Sequence, residues 1–182
     1  VLNCLRIEKV ILYAISAGGL TSIDLATRYP ERIEKLILAS AVSKKWLDRD
    51  GQIYKNSQKL FNPRIEKIVW GLIRFFSKII PNIIANNFYP QFSKNNSHQL
   101  EKNDINELLS TFKHFSSKTG FMCDIDHDVE ESQISDIQCP TLIIHSKNDN
   151  SVSFEHAEYA KKMIKKSILI GLDNEWGHLF WI

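Results

Sequence analysis

The chain has 182 residues, a length that supports one domain with a sizeable core and leaves little for a second. Its composition, 43% hydrophobic and 24% charged, excludes an intrinsically disordered polymer. A formal net charge of +2, with no basic run interleaved with aromatics, argues against nucleic acid as a partner.

Cys4, Cys123 and Cys139 are an odd set without CxxC spacing, so they form neither a disulfide framework nor a zinc site and fit a reducing, cytoplasmic setting. The longest apolar stretch, Ile68 to Phe88, is interrupted by Arg74, Lys78 and Pro81, short of the roughly 18 uninterrupted residues of a membrane span. The start, "VLNCLRIEK", lacks a signal-peptide layout and an initiator Met, so the chain is expected to begin partway through a longer protein.

Val10 to Ile15 is a charge-free run, the pattern of a strand covered on both faces in a parallel sheet. Gly18 to Tyr29 reads as a helix, with apolar residues at Leu20, Ile23, Leu25 and Ala26 and a stop before Pro30. Lys35 to Ser40 is a second buried strand, which completes a βαβ crossover. Residues 44–134 change texture. They carry helical periodicity, with one or two helices in Phe61 to Ile84 broken at Pro81, and another in Asn103 to Phe115 whose Asp104 and Glu107 have capping-box spacing. So long a segment without structure would be improbable, and it reads as an inserted helical subdomain. Pro140 to Ser146 (strand), Phe154 to Lys166 (helix) and Ser167 to Leu172 (strand) return to the first pattern. The expected division is an α/β core of 1–43 and 135–182 around a helical insertion of 44–134.

The chemistry begins at "AISAG". Ser16 stands where the first strand stops, with small residues Ala14 and Gly18 at the spacing a sharp strand-to-helix turn requires. Such a turn holds a hydroxyl above the sheet, where the helix N-terminus and the Ala17 backbone N–H favour negative charge. The plainer alternative is a serine helix cap with packing glycines. A serine nucleophile needs a His base, itself commonly oriented by a carboxylate. Asp149 lies just past the strand of Pro140 to Ser146, and His178 just past that of Ser167 to Leu172. Loops that follow parallel strands emerge at one edge of the sheet, so Ser16, Asp149 and His178 can converge there.

On these residues the chain resembles the α/β-hydrolase-fold enzymes, whose chain order is Ser, then Asp, then His. The resemblance implies a mostly parallel sheet with the insertion as a helical cap. It implies Ser16 as nucleophile, His178 as general base and acid, Asp149 as the group that orients the imidazole, and the Ala17 N–H as an oxyanion donor. It implies hydrolysis of an ester, thioester or similarly activated carbonyl through an acyl-enzyme, on a small, apolar acyl substrate, with no metal and no organic cofactor. The alternatives are carbon–carbon bond hydrolysis by the same triad, and a non-catalytic remnant or subunit. Ala14 replaces the usual first elbow glycine, Ser146 stands where a glycine often follows the strand's His, and Val152 lacks the proline common after it. The strands that precede the nucleophile strand in the family, with the His-Gly loop that gives a second oxyanion donor, have no counterpart here, which makes an N-terminal complementing segment an expected partner.

Rival residues are few. Asp124, Asp126, His127 and Asp128 resemble a calcium loop, but Val129 sits where glycine is required and Ser135 where the closing Glu belongs, so a solvated linker is expected. Asp173 is a weaker partner for His178 than Asp149. His98, His114, His145 and His156 read as surface or packing residues, and Cys123 and Cys139 as inert thiols. The apolar stripe from Ile68 to Phe92 reads as subdomain core, with a substrate wall, or a lipid contact helped by Arg74 and Lys78, as alternatives.

Overall fold

The structure, a computed structural model, describes residues 1–46, 54–55, 65–95, 99–112 and 120–181. Four short apolar runs become strands: β1 (Val10–Ile15), β2 (Ile33–Ala39), β3 (Thr141–Ser146) and β4 (Ser167–Leu172). They lie side by side in chain order, every pair parallel. Parallel neighbours need a crossover. Helix α1 (Gly18–Arg28) makes the first, and α7 (Glu155–Met163) the last.

Between β2 and β3 come α2 (Glu66–Ile79), α3 (Pro81–Phe92), α4 (Lys102–Thr111), α5 (Gly120–Asp126) and α6 (Glu131–Ser135). The break at Pro81 falls where the residue types require it, since Pro81 has no N–H to continue α2 and instead starts α3. Helix α4 carries its capping box one turn earlier than the spacing of Asp104 and Glu107 indicated. Glu101 is the N-cap, and its backbone N–H donates to Asp104 Oδ2 at 2.8 Å. The acidic segment expected to be a solvated linker is helical in α5, where Asp126 accepts a 2.7 Å hydrogen bond from the Tyr54 hydroxyl.

The main core lies on one face of the sheet, where Ala14, Leu36, Leu38 and Ile143 meet Ile23 and Ala26 of α1 and Ala157 and Ala160 of α7. The strand order explains this. Successive right-handed crossovers that step in one direction across a sheet place their helices on the same side. The described residues leave the opposite face largely uncovered at β1 and β4, so β1 is not covered on both faces as its sequence suggested. Ile11, Tyr13 and Ile15 are exposed, as are Ile168 and Ile170 at the far strand. A second core of Trp70, Ala85, Tyr89, Ile105, Leu108 and Phe112 holds α2, α3 and α4 together and takes in Leu179 from the C-terminal end.

Candidate functional site

Ser16 ends β1 in a left-handed backbone conformation, φ 51°. A non-glycine residue there costs on the order of 1–3 kcal/mol and persists only where its surroundings enforce it. The enforcement is visible: the Ser16 N–H donates to the Ala39 carbonyl (3.3 Å), and its carbonyl accepts from the N–H groups of Gly19 (3.1 Å) and Val42 (2.9 Å). A Cβ at position 19 would collide with the Val42 backbone, whereas one at Gly18 would meet nothing. The glycine the turn depends on is thus Gly19, one residue beyond the one its spacing suggested. Ser16 does not cap α1; Ala17 is the N-cap, and no side chain caps that end. The half-buried Ser16 hydroxyl has no hydrogen bond among the described residues, and neither does the Ala17 N–H.

Asp149 follows β3, is fully buried, and accepts three hydrogen bonds among the described residues. Oδ1 takes the N–H groups of Ser151 and Val152, each at 2.8 Å. Oδ2 takes His178 Nδ1 at 2.8 Å and faces His145 Nε2 at 3.2 Å. Burial alone would raise the carboxyl pKa; the bonds from His145 and His178, the His178 charge and the Val152 N–H outweigh it and hold the group well below the usual carboxylate range.

His178 sits in a short 3-10 turn, Gly177–Leu179, after β4. Gly177 has φ 57°, and a Cβ on it would come within 2.7 Å of the Asn148 carbonyl, which accounts for the Gly-His pair. The structure therefore joins Asp149 to His178, and both lie on the edge of the sheet where β1 delivers Ser16. No hydrogen bond links Ser16 to His178. Asp173, the rival acid, is exposed and accepts a 3.0 Å hydrogen bond from the Asn148 side chain instead.

The loop that carries Asp149 is stitched to the end of α3. Ser93 forms a β-bridge with Asp149, Lys94 N–H donates to the Asn148 carbonyl (2.8 Å), and the Ser151 hydroxyl donates to the Gln91 carbonyl (2.8 Å). Ser146, in place of the family's glycine, donates to Asn174 Oδ1 at 2.8 Å and so ties the loops after β3 and β4 together.

His145 and His156, read as surface or packing residues, are both buried. His156 Nδ1 accepts the Ser43 N–H at 3.2 Å, and burial, followed by the charge of Lys44, pushes its pKa down to about 4. His98 and His114 lie outside the described residues. Burial raises the Cys139 thiol pKa, in keeping with an unreactive sulfur. A cavity of about 190 Å³ borders Asp149, Ser151 and His156 under Trp46. A larger one of about 590 Å³ lies at the opposite end of β1, among residues 3–9 and Arg32, away from this chemistry. Among the described residues, no three His, Cys, Asp or Glu side chains group as metal ligands, and no helix is long and apolar enough to cross a membrane.

Comparison with known proteins decides the family. The profile described as serine aminopeptidase, S33, matches residues 4–179. The chain belongs to this family of α/β hydrolases. A Bacillus subtilis (strain 168) relative, the uncharacterised hydrolase YcgS, is 36% identical over 188 residues, covering 100% of this chain and 66% of its own length. An α/β hydrolase fold protein from Nakamurella multipartita superposes with a TM-score of 0.70 at 21% identity, covering 100% of this chain and 66% of that one. A meta-cleavage product hydrolase from Pseudomonas fluorescens IP01 gives 0.62 at 19% identity, over 100% of this chain and 62% of its own. The chain thus spans slightly less than two thirds of the length of such relatives, and its likeness to the solved structures is one of fold.

Proposed function

We propose that this hydrolase cleaves an ester, thioester or similarly activated carbonyl compound through an acyl-enzyme at Ser16. The observation that carries the proposal is the buried 2.8 Å bond between His178 Nδ1 and Asp149 Oδ2, on the sheet edge to which β1 delivers Ser16 in an enforced left-handed turn. In the proposed reaction His178 Nε2 takes the Ser16 proton as Oγ attacks the carbonyl carbon. The same proton then passes to the leaving group, and water repeats the sequence to free the acid. Asp149, held by the N–H groups of Ser151 and Val152 and by His178, would stay ionised and balance the charge that forms on the imidazole. The Ala17 N–H would donate to the oxyanion.

We assign residues 44–134 as a cap that selects the substrate and 1–43 with 135–182 as the catalytic core. Exposed Phe75, Phe76 and Ile79 on α2 supply apolar surface suited to an acyl chain. Among the described residues β1 pairs only with β2, and its other edge suits further strands, from a complementing segment of the same hydrolase, that would bring the second oxyanion donor. Free cysteines at 4, 123 and 139 suit a cytoplasmic site of action.

A fluorophosphonate probe tests the proposal, because it reacts with an activated serine and not with an ordinary one. Labelling at Ser16 is expected, with loss of more than about 10³ in rate for Ser16→Ala or His178→Ala. Absence of labelling in the complete hydrolase would mean a non-catalytic member, and labelling unaffected by His178→Ala would mean a different base.

A further inference from the structure

His145 occupies the penultimate position of β3, four residues before Asp149, and its side chain is about 1% exposed. Its two ring nitrogens have opposite surroundings. Nε2 lies 2.8 Å from the Val152 carbonyl and 3.2 Å from Asp149 Oδ2, both acceptors. Nδ1 is buried with no hydrogen-bond partner among the described residues. A lone pair on Nε2 would point at two oxygens, and a proton on Nδ1 would be a buried donor without an acceptor. Both costs vanish in a single form, the neutral ring with its proton on Nε2. Phe154 packs edge-on against this ring, with centroids 5.9 Å apart.

We infer that His145 is a positioning residue for the acid of the proposed triad, donating a shared Nε2–H to Asp149 Oδ2 and to the Val152 carbonyl. The inference rests on the reading of Asp149 and His178 as an acid–base pair, and it adds a role to a residue that chemistry would otherwise leave unused. A carboxylate has about four lone-pair directions. Here the Ser151 and Val152 N–H groups fill those of Oδ1, and His178 and His145 fill those of Oδ2. The carboxylate therefore cannot rotate without breaking a bond at each oxygen, and its Oδ2 stays aimed at His178. Val152 closes the arrangement by giving its N–H to Asp149 and its carbonyl to His145. Of the other titratable groups, His156 on α7 feels the charges of both His145 and Asp149, and Lys44 and Glu155, paired at 3.5 Å, act on His156.

Two substitutions in the intact chain separate positioning from packing. His145→Phe keeps a ring and removes the donor; His145→Gln places an amide N–H near the position of Nε2. The readouts are proton–nitrogen correlation spectra of the histidine rings and the rate at which the fluorophosphonate labels Ser16. The wild-type spectrum should show His145 protonated at Nε2 and bare at Nδ1. In His145→Phe the His178 Nδ1–H resonance should move and labelling should slow about tenfold, the effect of one charge-assisted hydrogen bond. In His145→Gln both should return toward wild type, within about threefold for the rate, even if the two variants melt at the same temperature. A proton on Nδ1 of His145, or a His178 Nδ1–H resonance unmoved in His145→Phe, overturns the inference, as does failure of glutamine to restore either readout. Failure of the triad reading looks different: wild type would not label at Ser16, while the ring spectra would still decide the His145 bond.

Discussion

His156 and His145 are both buried histidines near Asp149, yet their nitrogens do different things. His156 accepts a backbone N–H through Nδ1, and burial together with the charge of Lys44 lowers its pKa from the ordinary 6.5 to about 4. Above pH 6.5 the ring is neutral in both the folded and unfolded chain. As pH falls below 6.5 the unfolded chain takes a proton that the folded one refuses, so stability is lost progressively down to pH 4 and then levels off. The loss is on the order of 3 kcal/mol. His156→Asn keeps an acceptor for the Ser43 N–H and does not titrate, so its urea midpoint should fall less between pH 7 and pH 5 than that of the wild type. Equal slopes would remove His156 as the cause. Spacing alone located Ser16, Asp149 and His178 on one sheet edge and preferred Asp149 over Asp173. It could not find the His145 contact, which exists only because residues 147–152 fold back over β3, nor the need for Gly19, which comes from the Val42 backbone more than twenty residues on.

Helix α2 shows why one apolar stripe can carry two meanings. Trp70 is 4% exposed and packs against Phe112 with ring centroids 6.1 Å apart, whereas Phe76 is 42% exposed. Trp70→Ala should therefore cost about 3–5 kcal/mol, measured by denaturant unfolding, and lower every activity alike. Phe76→Ala should leave the unfolding midpoint almost unchanged and shift chain-length preference among acyl substrates more than reaction with a small activated acetate. The reverse pattern would place Phe76 in the core. At this scale the strands were the most legible elements. Val10–Ile15 and Ser167–Leu172 have the bounds their residues indicated, because charged neighbours or the elbow delimit them. Helix ends were less so: α7 stops at Met163, three residues before Lys166, and the capping box of α4 was misplaced by one turn because Glu101, an uncommon N-cap residue, gives a weak signal.

For the whole molecule, the α/β class and the crossover pattern followed from two strand–helix–strand runs. That both helices cover a single face did not, because it depends on the strand order, which no local pattern encodes. The open face carries Ile11, Tyr13, Ile168 and Ile170. The 182-residue polypeptide by itself should bind an apolar dye and self-associate with rising concentration in sedimentation. Replacing Ile11 and Ile168 with Thr, a residue equally at home in a strand, should weaken both effects while leaving the melting temperature nearly in place. A wild-type chain that stays monomeric and ignores the dye would show that the face is covered. The strand order also divides the chemistry. Asp149 and His178 belong to the unit built by β3, α7 and β4, and Ser16 to the unit built by β1, α1 and β2. Within the sheet the two units meet along one seam, where Leu36–Ala39 pairs with Thr141–Ile144. Each unit is local in sequence, but the seam joins segments about a hundred residues apart, so its closure bears the larger entropic cost. Opening the seam would divide the core that the two units share and part the serine from its base. The proposed activity is thus a property of the seam rather than of either half.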